Sequence, residues 1–372
     1  MDALAQLEKM EGYLAQDPGN FELLARVIDL ALEAQQWQRA LTHTEAAVKQ
    51  FPDDPYMRYR RGHALFALQQ YAEAEAAFAS VDDHNINLSI SLAIAQQAQG
   101  KHQETVDTLL PWEDAPDLPA HGLLALLRSM HHVAQLEEAM AIFHTHQARM
   151  MQEASVLSAV SLILLDLNQI EEAGRMSEAA LALGPRPLEA LLTSGTLALG
   201  FATPDIAVEL FNEVLTLQPK EGRSWAGLGM ASMLKRDMHG AIAQLEKAAQ
   251  YLPTHIGTLH TLAWCKIFIG DIAGAGQVFE QALALDRNFG ESHGGIAVVA
   301  ALRGEREVAQ AAIERALRLD RQGLAARYAE MVLSGVTADP ERFRALAFRI
   351  MSKHPSSFGN NLAEVVQRFD VH

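Results

Sequence analysis

A period of 34 residues runs through this sequence, and it constrains the fold more than any single motif does. A small residue opening a helix-forming stretch stands at Ala40 and Ala74, then Thr105 after 31 residues. Ala139, Ala173, Ala207, Ala241, Ala275 and Ala309 follow, each 34 apart. Four residues past these positions lie Phe78, Leu109, Phe143, Phe211, Leu245, Phe279 and Ile313. Pro52, Pro185, Pro219 and Pro253 stand twelve after them, and Gly62, Gly195 and Gly229 twelve before. Self-similarity at such a period predicts an array of supersecondary units, each unable to bury its apolar face alone and each stabilised by its neighbours. Every unit reads as two helices of about 12 to 15 residues, with a short turn between them and Pro closing the second. The small residues let the first helix approach the second, and the large residue four positions on fills the gap toward the next unit.

The unit at 222–255 carries Trp225, Leu228, Gly229, Ala241, Ala248 and Pro253. It resembles the tetratricopeptide repeat, whose pattern is W-x2-L-G-x2-Y, then A-x3-F, then P. Ser232 and Leu245 depart from the Tyr and Phe that the pattern prefers. The resemblance covers roughly residues 21–321. It implies an all-α fold: an α-solenoid, a right-handed superhelix of about nine tetratricopeptide-type repeats plus capping helices.

Composition agrees. Ala, Leu, Gln and Glu dominate, and no alternating Val/Ile/Thr run suggests a sheet. Cys265 is the single cysteine, which rules out an intrachain disulfide framework and a CxxC pair. No apolar run approaches the roughly 18 residues of a membrane span, and the acidic start resembles no secretory signal. The expectation is therefore a soluble, cytoplasmic protein without direct membrane insertion. A net charge of −16 makes nucleic acid a poor partner. Residues 301–372 alone are basic, eleven Lys and Arg against nine Asp and Glu, with the two signs interleaved.

Four segments follow from the register. Residues 1–81 hold an N-terminal capping helix and two repeats. Residues 82–119 hold an irregular third repeat, read as a bend, whose second helix is cut at Pro111 before the acidic, Pro-rich "LPWEDAPDLP" around Trp112. Residues 120–321 form the main solenoid of six repeats. Residues 322–372 read as C-terminal capping helices, the last with Leu362, Val365, Val366 and Phe369 on one side.

Chemistry is sparse. His121, His131, His132, His144 and His146 fall in one unit, yet none forms the i,i+4 pair of an H-E-x-x-H site, so no metal is expected. There is no Gly-rich phosphate loop, no G-x-S-x-G and no Ser/His/Asp set, so neither an enzyme nor a cofactor is expected. Cys265 beside Trp264 on an apolar helix reads as core.

What remains is surface. The resemblance implies that first helices line a concave face that holds another protein. Register assigns to that face Tyr59 and His63 early, then Arg128 and His131 as a cationic-capable patch. It continues with Leu165, Leu199, Met230, Met233, His260, Trp264, Ile267 and Phe268. A Met- and aromatic-rich face of this kind suits an amphipathic helix or extended apolar peptide. The expected function is a non-enzymatic scaffold or chaperone-like adaptor. Bacterial relatives imply a place in secretion, pilus or envelope assembly. The alternative is a homo-oligomer whose groove is filled by its own C-terminal helix or by a second copy.

Overall fold

The computed structural model describes residues 3–83 and 85–356, together with Phe358, Asn361, Ala363, Glu364 and Gln367. The final helix expected from Leu362, Val365, Val366 and Phe369 lies outside the described residues. The chain is all-helical, and it divides into two compact units, Met1–Ile163 and Leu164–His372.

In the first unit, α1 (Ala3–Leu14) precedes the helix pairs α2 (Phe21–Glu33) with α3 (Trp37–Gln50), and α4 (Pro55–Ala67) with α5 (Tyr71–Ala79). Then come α6 (Ile86–Ala98) with α7 (His102–Leu109), and α8 (Ala120–His132) with α9 (Leu136–Met150). Helix α10 (Ala154–Asp166) contains the division. The second unit continues with α11 (Ile170–Ala182), then α12 (Leu188–Gly200) paired with α13 (Pro204–Leu217), and α14 (Gly222–Leu234) with α15 (Met238–Tyr251). It ends with α16 (Ile256–Phe268) paired with α17 (Ile272–Leu285), α18 (Gly290–Leu302) with α19 (Arg306–Leu319), and then α20 (Leu324–Leu333) and α21 (Pro340–Met351). Helix α7 does stop before Pro111, where a 3-10 turn, Leu110–Trp112, takes over.

The period reappears in the backbone. A residue of positive φ stands at each turn inside a pair: Gln35, Gln69, Gly100, Ala134, Asn168, Ala202, Arg236, Gly270 and Gly304. Successive turns are 34 residues apart except Gln69 to Gly100, which are 31 apart. The three-residue deletion therefore falls between those two turns. Glycine adopts this conformation freely. Ala134 and Ala202 hold it at φ 61° and 60° against their Cβ.

Polar side chains start the helices. Asn20, Asp54 and Asn85 accept bonds from the backbone N–H of Leu23, Met57 and Leu88 at 2.9–3.0 Å. Asp237 and Asp271 do the same for the second helices α15 and α17. Each satisfies a donor that the helix itself leaves open.

Packing follows the expected contacts, with one refinement. The glycine of a first helix lies against the large residue of its partner helix, beyond the small alanine. A Cβ at Gly195 would come within 2.8 Å of the Phe211 ring, and one at Gly229 within 2.5 Å of Leu245. Gly62 faces Phe78 in the same way. Phe78, Phe143, Phe211 and Phe279 are fully buried, each contributing about 2–3 kcal/mol of apolar burial. First helices of successive pairs also touch. In the first unit α2 meets α4, α4 meets α6 and α6 meets α8. In the second, α12 meets α14, α14 meets α16, and α18 meets α20.

Candidate functional site

The first-helix face differs along the chain. On α4, Tyr59 and His63 pack edge-to-face, ring centroids 4.5 Å apart, and His63 leans on Phe78 at 5.2 Å. The Tyr59 hydroxyl meets the Ser91 hydroxyl of α6 at 3.2 Å. Beside them Tyr56 donates to Asp29 at 2.7 Å and Arg60 donates to the same carboxylate at 2.5 Å. Burial, reinforced by Arg60, lowers the His63 pKa, so this imidazole stays neutral near pH 7. Tyr59 and His63 thus line a cleft of about 670 Å³ between α4 and α6, with His121 of α8 at its edge.

On α8, Arg128 and His131 are half-buried and His132 is exposed. His132 stacks on His102 of α7, centroids 4.0 Å apart and planes within 9°. Burial lowers the His102 pKa. Among the described residues no cluster of three His, Cys, Asp or Glu could hold a metal ion.

In the second unit Leu165 is half-buried, and Leu199 is 7% exposed within the core of α12–α14. Leu199 is therefore spent on helix stacking. Met233 is partly buried against the α15–α17 core, while Met230 is 38% exposed. The His260 imidazole lies between Phe279 and Phe289, at 5.4 and 5.5 Å, and bonds to the Ser292 hydroxyl at 2.8 Å. Burial holds its pKa down to about 4. Cys265 is buried and its thiol is pushed up to about 11, so it is core and not nucleophile.

Trp264, Ile267 and Phe268 come together. Trp264 packs edge-on to Phe279 and to Tyr328, at 6.2 and 5.6 Å. One turn on, Phe268 is 64% exposed. These side chains line a cleft of about 720 Å³ whose other wall is Tyr328 of α20 with Phe343, Ile350 and Met351 of α21. Met230, Met233 and His260 do not line it. The α21 wall was missed at the level of site residues, although Phe343, Ala347, Ile350 and Met351 have the i,i+4,i+7,i+8 spacing of one helix face. Asp339 accepts from the N–H of Glu341 and Arg342 and fixes where α21 begins.

The chain beyond α21 returns to this face. Phe358 packs edge-on to Phe201, centroids 5.6 Å apart, and its ring occupies the space that a Cβ on Gly200 would need. His354 lies near enough to Glu291 to lower that carboxyl's pKa, although burial is the larger effect and leaves it raised.

Residues 28–84 match the family model described as tetratricopeptide repeat. No curated protein matches. Among solved structures, the human IFIT1 dimer with PPP-AAAA is similar in fold at 12% identity and a TM-score of 0.54, over 98% of this chain and 93% of that one. A tetratricopeptide repeat protein from Parabacteroides merdae matches at 15% identity and a TM-score of 0.47, over 62% of this chain and 93% of that one. The MamA protein matches at 18% identity and a TM-score of 0.38, over 45% and 92%. Residues 28–84 are thus tetratricopeptide repeat, and the same helix pair recurs beyond residue 84 in an all-α solenoid fold. That fold is one of protein–protein interaction scaffolds. Among the described residues no helix is long and apolar enough to cross a membrane.

Proposed function

We propose that this protein is a non-enzymatic adaptor whose first-helix face in the second unit holds an amphipathic helix or apolar segment of another protein. The observation that carries this reading is the open cleft of about 720 Å³ between Trp264–Phe268 and α21, with Phe268 64% exposed at its mouth. An aromatic side chain left that bare, rimmed by Glu291 and Arg327, is the pattern of a surface awaiting an apolar partner. Met230 extends the exposed apolar stripe onto α14. A role in bacterial secretion, pilus or envelope assembly remains part of the same proposal, and so does a cytoplasmic location. The test is capture from native lysate by wild type and by Phe268→Glu. This exposed position is preferred to Trp264, whose ring is built into the core. Helicity and oligomeric state are checked first. Capture by wild type alone supports the adaptor; equal capture by both removes it.

A second reading is favoured by one contact. Phe358 against Gly200 and Phe201 suggests that the protein's own C-terminal segment covers part of this face. Deleting residues 356–372 then raises hydrophobic-dye binding and capture, or dissolves a homo-oligomer if the segment reaches a second copy. No change in any of these rejects self-occupancy.

A further inference from the structure

Resting on the adaptor reading, we propose that the partner segment carries acidic side chains beside its apolar stripe, and that these dock in a basic cleft between α20 and α21. That cleft has a volume of about 660 Å³ and is lined by Arg321, Arg327, Arg349, Lys353 and His354. Glu330 is the one acidic residue in its lining, and Arg327 already holds it at 2.9 Å. Among the described residues no carboxylate pairs with Arg321, Arg349 or Lys353. Arg327, Met331 and Ile350 line both this cleft and the apolar one, so the two meet along the α20–α21 seam. An occupant of the apolar cleft therefore lies beside a row of unneutralised cations.

The surroundings strengthen the choice. The chain carries a net charge of −16, and most of its surface repels an acidic segment. Attraction confined to this seam orients an acidic, amphipathic helix and selects against basic ones. Guanidinium groups recognise carboxylates through paired N–H donors, which favours arginine for the task. Arg327 sits on α20 and Arg349 on α21, with Arg321 just before α20 and Lys353 and His354 just after α21. A free phosphate polyanion offers the same charge, but makes no use of the apolar cleft that adjoins it.

The experiment uses the full chain and two labelled synthetic helices of about 18 residues. Both carry leucine at i, i+3, i+4 and i+7; one has glutamate on the flanks and the other lysine. Fluorescence anisotropy should show the glutamate helix binding about ten-fold more tightly, with affinity falling as salt rises. In the exposed triple variant Arg321→Glu/Arg349→Glu/Lys353→Glu, helicity unchanged, the preference should reverse. Equal binding of both helices by wild type overturns the charge inference and leaves the adaptor reading standing. Failure of wild type to bind either helix overturns both. Displacement of the glutamate helix by tripolyphosphate at concentrations below the helix's own Kd makes the seam a phosphate site, and also overturns the inference.

Discussion

The first-helix face of residues 1–163 and that of residues 164–372 are built from the same repeat and finished differently. In the first, polar side chains reach from one first helix to the next. Asp29 of α2 takes bonds from Tyr56 and Arg60 of α4, Tyr59 meets Ser91 of α6, and Gln97 of α6 donates to Ser129 and to the Ala125 carbonyl of α8 at 2.9 Å. In the second, Met230, Phe268 and Leu302 stand 38%, 64% and 38% exposed. Polar links occur there as well: Arg223 to Asp166 at 2.8 Å, His260 to Ser292 at 2.8 Å, and the Ala325 N–H to Glu291 at 3.1 Å. Side chains that satisfy one another stiffen a stack and leave little to offer a partner. Exposed apolar side chains gain free energy only when something covers them. One surface is tied together by its own side chains, and the other carries the proposed docking site.

The comparison can be broken by mutation. The largest effect belongs to the core beneath the proposed docking face. Phe279→Ala empties the space that Gly295, His260 and Trp264 close around, and should cost about 3–5 kcal/mol in denaturant unfolding. Asp29→Ala leaves Arg60 and Tyr56 without their acceptor and should cost about 1–3 kcal/mol. Phe268→Ala should change stability by less than about 0.5 kcal/mol while lowering peptide affinity. If Phe268→Ala destabilises more than Asp29→Ala, the two faces have been assigned the wrong way round.

His260 gives a pH signature to the second unit. Its unfolded imidazole takes a proton near 6.5, whereas the folded one resists until about 4. Between these values only the unfolded chain gains the proton. The contribution is whole above pH 6.5 and is lost as pH falls toward 4, on the order of 2 kcal/mol after allowance for the ring's partial exposure. Unfolding curves at pH 7 and pH 4.5 should show this loss, and His260→Phe should reduce it. The smallest effect is at the turns. Ala202→Gly relieves a positive φ of 60° and should stabilise by about 0.5 kcal/mol, seen as a small rise in Tm.

The fold was legible because its signal is redundant. The same register appears in Gly195 and Phe211, in Pro219 and Pro253, and in the left-handed turn residues, whose single 31-residue interval matches the gap between Ala74 and Thr105. The proposed docking face is visible in the sequence only in part. Register put Trp264, Ile267 and Phe268 on one first helix, and the structure brings all three to one cleft. It could not tell Phe268, which is exposed, from Leu199, which neighbouring helices bury. The two stand one position apart in the register, about 100° round a helix. Tyr328, Phe343 and Ile350 were out of reach because the pattern of small and large residues fades after 321, although α20 and α21 begin 34 residues after α18 and α19. The hydrogen bonds of Asp29 and of Ser292 span about one repeat, and became visible only when the first helices were set side by side.

The most direct measurement places a photo-crosslinking amino acid at position 268 in one full-length sample and at position 59 in another. Each is illuminated with the glutamate-flanked amphipathic helix. The account predicts efficient crosslinking from position 268 and little from position 59. Equal yields, or a higher yield from position 59, would contradict the claim that the second unit's first-helix face is where this protein receives its partner.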